Sequence, residues 1–218
     1  GLNNLIKELY RGEKWIGGLF PYKITAKTPL CKGDGSVVFL LIRMNDVSKL
    51  VELKEKCRAL YKLGKHSLHM SDFVEDTWRI GSSLLNENSI HFLNNGTNDI
   101  TLKTKQLLEN YFKKIGNNNE NYCLTSSLIL EMYGLRPAND VDYLHKDDSN
   151  LQLVNTGVHS GKWLTFYYVH KDDIIYNPKN HFYFNGFKFA TLDVVKTMKI
   201  NRNEFKDTND IKLIDKLI

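Results

Sequence analysis

Two aspartates one residue apart, Asp140-Val141-Asp142, carry the most specific chemistry in this 218-residue chain. On a strand, residues two apart face the same way, so the two carboxylates would project together while Val141 points into the core. Two like charges held that close repel, and a hard divalent cation such as magnesium or manganese stabilises the pair. Upstream stand three small hydroxyl residues, Thr125, Ser126 and Ser127, at the head of an apolar segment with helical character, 128–133. Free backbone N–H groups and the dipole at a helix start favour phosphate, and hydroxyls add donors. The same serines also suit a plain N-cap that involves no ligand. Arg136 lies in the loop just before the acids. There a guanidinium could grip phosphate through two N–H groups, or it could pair with Asp140 or Asp142.

The elements that must position these residues follow from local signals. Tyr122-Cys123-Leu124 reads as a short strand, Gly134 stops the helix, and Pro137 and Asn139 make a turn before the acid-bearing strand. A strand, a small-residue turn, a helix, an arginine-bearing loop and a D-x-D strand, in that order, resemble the nucleotidyltransferase superfamily of DNA polymerase beta-like fold. The superfamily's acids read D-h-D-h-h, with h apolar, and Asp140-Val141-Asp142-Tyr143-Leu144 match. Its turn is usually Gly-Gly or Gly-Ser, where this chain has Thr125-Ser126-Ser127. The tail runs from Phe187-Lys188-Phe189-Ala190-Thr191-Leu192 through Val195-Lys196-Thr197-Met198-Lys199 and Arg202 to Lys206-Asp207 and Asp210-Ile211. It resembles the C-terminal helices of nucleotidyltransferase-like toxins and related bacterial proteins. The resemblance covers the second half of the chain only.

That resemblance implies an α/β (α+β) fold, a mixed sheet flanked by helices. It implies Asp140 and Asp142 as magnesium ligands, and Lys199 on substrate phosphates with Asp207 or Asp210 near the metal pair. Lys206 belongs to the same charged run, which a solvated helix face would equally explain. A third carboxylate from a core strand is usual in active members; Asp172 and Asp173, after the aromatic segment 163–169, are nearest to that role.

Net charge and composition bound the remaining choices. A net charge of +5 permits a polyanionic partner without demanding one. Three distant cysteines, Cys31, Cys57 and Cys123, argue against a disulfide framework or a zinc site and for a reducing, cytoplasmic setting. No apolar run approaches a membrane span and no signal peptide is visible. Gly1 in place of methionine fits a tag scar or a piece cut from a longer, multidomain chain.

In the first half, Gly12, Gly17, Gly18, Pro21, Pro29, Gly33 and Gly35 punctuate a loop-rich stretch. Trp15 with Lys23, Lys27 and Lys32 could line a basic lip there, or Trp15 could simply anchor a surface loop. The apolar run 37–42 predicts a buried strand, 65–70 a second and 89–93 a third, with helices over 47–63 and 72–85 between them. That alternation predicts an N-terminal α/β subdomain, 1–97, ahead of a nucleotidyltransferase-like domain, 98–218. His66, His69 and Asp72 form H-x-x-H-x-x-D: an acid–base or phosphate-binding cluster, a zinc site lacking its fourth ligand, or two loop histidines beside a cap. Of the other histidines, His145 is the one near the acids in sequence.

Together these readings predict magnesium- or manganese-dependent transfer of a nucleotidyl or phosphoryl group. The donor would be a nucleoside triphosphate or another nucleotide-activated compound, and the acceptor a hydroxyl of RNA, protein or sugar. A domain of a surface-polysaccharide enzyme is one such case. The alternative is a non-catalytic module that keeps the fold and binds nucleotide, glycan or a partner. The missing turn glycine and the unplaced third carboxylate favour that alternative.

Overall fold

The computed structural model describes residues 1–18, 23–31, 35–71, 73–97, 99–116 and 118–218. Asp72, Pro21, Lys32 and Gly33 therefore lie outside the described residues. Six helices come first: α1 (Leu2–Leu9), α2 (Ile24–Cys31), α3 (Val47–Tyr61), α4 (Val74–Leu84), α5 (Glu87–Asn95) and α6 (Leu102–Ile115). Then follow β1 (Tyr122–Thr125), α7 (Ser127–Met132), β2 (Val141–His145), β3 (Thr156–Val158), α8 (Lys171–Tyr176), β4 (His181–Phe184), β5 (Phe187–Ala190), α9 (Leu192–Arg202) and α10 (Phe205–Ile214). The strands form one mixed five-stranded sheet in the order β3-β2-β1-β5-β4. The β1–β2 and β4–β5 pairs are antiparallel, and β1–β5 and β2–β3 are parallel.

Local chemistry accounts for most of these elements. Asp46 caps α3 by accepting the Ser48 N–H, and Thr101 caps α6 by accepting the Thr104 N–H. Leu108, Tyr111, Phe112 and Ile115 recur at helical spacing along α6 and are all buried. Asn185 and Gly186 both take positive φ, 53° and 72°, which suits the tight turn between β4 and β5. One apolar cluster fills the centre, from Phe92 and Leu93 of α5 through the strands to Val195, Met198 and Ile214. Phe92, fully buried, stacks on Phe182 at 4.6 Å.

The three strands expected at 37–42, 65–70 and 89–93 are not formed, and no described residue before Tyr122 is in a strand. Residues 89–93 lie inside α5, where Asn86 accepts the Ser89 N–H as a helix cap and Ser89, Phe92 and Leu93 are buried at spacings of three and four. Residues 64–66 form a 3-10 turn, and 37–42 form no regular element, with Val38 and Leu40 exposed. A run of apolar side chains needs a partner to become a strand. The outer edge of β4 already bonds to side chains, since Tyr183 N–H donates to Ser89 Oγ and Asn86 Nδ2 donates to the His181 carbonyl. The aromatic segment expected as a strand at 163–169 begins instead in a 3-10 stretch, Gly161–Phe166. No helix among the described residues is long and apolar enough to cross a membrane.

First-half helices reach the sheet directly. Asn4 Nδ2 donates to the Leu93 carbonyl at 3.2 Å, and the buried carboxylate of Glu8 accepts both Arg79 and the Asn185 N–H at the hairpin turn. The core cluster thus holds side chains from both sides of the expected 97/98 boundary.

Candidate functional site

The antiparallel register of β1 and β2 puts Thr125, the last residue of β1, opposite Asp142. The turn that follows Thr125 and the acids that open β2 are therefore neighbours at one end of the sheet. Ser126 bridges β1 and α7 at φ 63° and ψ −138°, a conformation natural to glycine and costly for serine. It stands at the position where the resemblance to nucleotidyltransferases leads one to expect a glycine. The Ser127 hydroxyl donates to Asp140 Oδ1 at 3.2 Å, and no hydrogen bond joins the Ser126 hydroxyl to a described residue.

Asp142 leans over β3. Gly157 is its partner across the β2–β3 pair, and a Cβ there would stand 2.9 Å from Asp142 Oδ1. Just beyond β3, buried His159 sets Nε2 3.5 Å from Asp142 Oδ2. Its Nδ1 is 2.6 Å from the Tyr167 hydroxyl, which is 3.1 Å from Thr125 Oγ1. Thr125 is in turn the cross-strand neighbour of Asp142. Burial pushes the Tyr167 phenol far above its ordinary range, so it keeps its proton. Trp163 lies flat on His159, with centroids 4.9 Å apart and planes at 6°, and the Arg202 guanidinium lies over Trp163.

A second cluster flanks the acids. Arg136 donates through Nε and Nη2 to Asp210 at 2.5 and 2.6 Å, and Arg202 donates twice to Asp207 at 2.9 and 2.6 Å. Lys199 is buried between them, its ammonium 3.2 Å from Asp207 and 2.7 Å from Asp210. Asp207 also accepts the Glu204 N–H and so caps α10. Burial alone would raise the Asp207 carboxyl, but the Arg202 bonds and the Lys199 charge bring it down to about 2. Asp210 is also lowered: Arg136 and Lys199 outweigh its burial. Glu204 lies 3.5 Å from Arg202 Nε, so the three cations meet three carboxylates. Arg136 senses Asp140 and Arg202 senses Asp142, so this cluster and the acid pair form one electrostatic unit.

Several sequence-derived candidates are thus brought together: Ser126, Ser127, Asp140, Asp142, Arg136, Lys199, Asp207 and Asp210. Others stand apart. Asp172 and Asp173 open α8, where Lys171 bonds to the Lys146 carbonyl and Asp148. That is the Tyr122–His145 end of the β1–β2 pair, about three residues or roughly 10 Å from the Thr125–Asp142 end. Both aspartates thus lie away from Asp140 and Asp142, as does His145, which accepts the Asp147 and Ser149 N–H groups at that far end. Lys206 is exposed and pairs with Glu204. His66 bonds to Lys27 at 2.9 Å and His69 packs edge-on against Tyr10, on first-half elements. His159, Tyr167 and Gly157 were not legible as site residues. No spacing in the sequence ties them to the D-x-D strand, because the link is the β2–β3 pairing.

Among the described residues no three His, Cys, Asp or Glu side chains converge as a ready-made cation site. Asp140 and Asp142 stand two residues apart, with His159 beside Asp142. Compared with known proteins, the chain matches no family model, and no curated protein or solved structure matches it significantly.

Proposed function

We propose that the chain is a divalent-cation-dependent transferase that moves a nucleotidyl or phosphoryl group from a nucleotide-activated donor to an acceptor hydroxyl. The observation that carries the reading is the β1–β2 register, which sets the Ser126–Ser127 turn against Asp140 and Asp142. When bound at the acids, magnesium or manganese supplies neutralisation of the phosphate charge. The Ser126 hydroxyl is free to donate to a phosphate oxygen. Arg136 and Arg202 edge the acids, and Trp163, 39% exposed, offers part of a flat aromatic surface beside them. Lys199 acts from inside: held by Asp207 and Asp210, it fixes the carboxylates that in turn orient Arg136 and Arg202.

One observation favours the second reading, a nucleotide-, glycan- or partner-binding module without turnover. Lys199, the cation the resemblance assigns to the substrate, spends its charge on two internal carboxylates. Labelled nucleoside triphosphates, carrying the label at either the α- or the γ-phosphate, separate the two. Transfer of label to RNA, protein or sugar that vanishes in Asp140→Asn/Asp142→Asn supports the transferase. Cation-dependent binding with no transfer to any of the three acceptors supports the module.

A further inference from the structure

We infer that His159 is a ligand of the cation at Asp142, so that the site is a mixed carboxylate–imidazole site. This rests on the reading above that the acid pair holds a divalent cation. Three observations aim the two side chains at one point. First, His159 Nε2 and Asp142 Oδ2 are 3.5 Å apart. That is too long for the roughly 2.7–2.9 Å of a charge-assisted hydrogen bond. It is close to the edge between two ligands of one ion, because bonds of about 2.1 Å meeting at 90–110° span about 3.0–3.4 Å. Second, the absence of a side chain at Gly157 leaves the room into which Asp142 leans, since a Cβ would meet Oδ1 at 2.9 Å.

Third, the far side of the imidazole is already held. Nδ1 is 2.6 Å from the Tyr167 hydroxyl, which is 3.1 Å from Thr125 Oγ1. With Nδ1–H donating to the Tyr167 oxygen and Tyr167 O–H donating to Thr125, Nε2 presents its lone pair toward Asp142. A ligating histidine is characteristically fixed in this way through its other ring nitrogen. Trp163, stacked at 4.9 Å, fixes the plane of the ring. His159 is 4% exposed, so its Nε2 serves this point and not bulk solvent. The imidazole fills the place of the carboxylate that sequence reasoning could not find. It also tilts the site from magnesium toward cobalt, zinc and manganese, which accept nitrogen more readily.

The test uses manganese and magnesium ions alone, on the full chain. Pulsed EPR of the manganese-loaded protein is expected to show coupling to an imidazole nitrogen, lost in His159→Asp. Tyr167→Phe is expected to keep the coupling and lower manganese affinity, by calorimetry, by about 10- to 100-fold. His159→Asp is expected to move preference back toward magnesium, and Asp142→Asn to abolish binding of both ions. Manganese bound without nitrogen coupling, and lost on Asp142→Asn, would overturn the His159 assignment and leave the acid-pair reading standing. Affinity unchanged in both His159→Asp and Asp142→Asn would remove both. Should His159→Asp fail to fold, the wild-type spectrum decides alone.

Discussion

Ser126 shows how a single residue can carry the trace of a turn's requirement. At φ 63° and ψ −138° its Cβ and side chain are held where glycine is at ease, a strain on the order of 1–3 kcal/mol. Ser126→Gly relieves that strain at some cost in unfolded-state entropy, and is expected to stabilise the chain by about 1 kcal/mol in urea unfolding. Loss of stability would mean that the serine is held by contacts that outweigh the strain. The buried ion cluster makes a second residue-level prediction. Asp207 titrates at about 2 when folded and Asp210 is lowered in the same direction, against about 3.9 for an unfolded aspartate. Between those values the unfolded chain binds more protons, so the stabilisation is present above about pH 4 and drains away as pH falls toward 2. Denaturant midpoints at pH 5 and pH 2.5 check this, with Asp207→Asn expected to flatten the difference. An equal fall in the variant would place the acid sensitivity elsewhere.

At the scale of elements, what was legible depended on whether the signal was local. The helix over 47–63 and the β1–turn–α7–β2 order were readable, because each is decided within a few residues. The first-half strands were misread because an apolar run alone does not tell a strand from a helix or an unpaired segment. At 89–93 the Asn86 cap decided for a helix. The acid pair was legible, while its companions were not: Gly157, His159 and Tyr167 meet Asp142 only through β2–β3 pairing and the turn after it. No spacing in one sequence encodes that meeting. The same helix α5 yields a prediction. Phe92 is fully buried against Phe182, Phe184 and Tyr133. Losing such a ring costs about 3–5 kcal/mol, a large part of a domain's stability. A fragment starting at residue 98 is therefore expected to lack a cooperative unfolding transition. A fragment starting at residue 86, which retains α5 and its cap, is expected to keep measurable cooperativity. Identical, native-like unfolding of the two would show that α5 is dispensable to the core.

For the molecule as a whole, the arrangement is a mixed sheet whose β1–β2 end carries two acids, a strained serine turn and a His159–Tyr167–Thr125 hydrogen-bond chain. A cluster of paired cations and carboxylates stands beside them. Enclosing Lys199 between Asp207 and Asp210 and bending a serine into a glycine's conformation both carry a cost in stability. The layout makes sense if phosphate and a divalent cation meet at the acids. A ligand that binds only the folded state raises stability by RT ln(1 + [L]/Kd), so thermal unfolding reads the encounter directly. The decisive measurement is the melting temperature of wild type and Asp140→Asn/Asp142→Asn with a nucleoside triphosphate, with and without magnesium or manganese. The predicted result is a rise in the wild type that needs both nucleotide and cation, and no rise in the double variant at an unchanged apo melting temperature. An equal rise in both proteins would contradict the account, because nucleotide and cation would then bind without the acid pair.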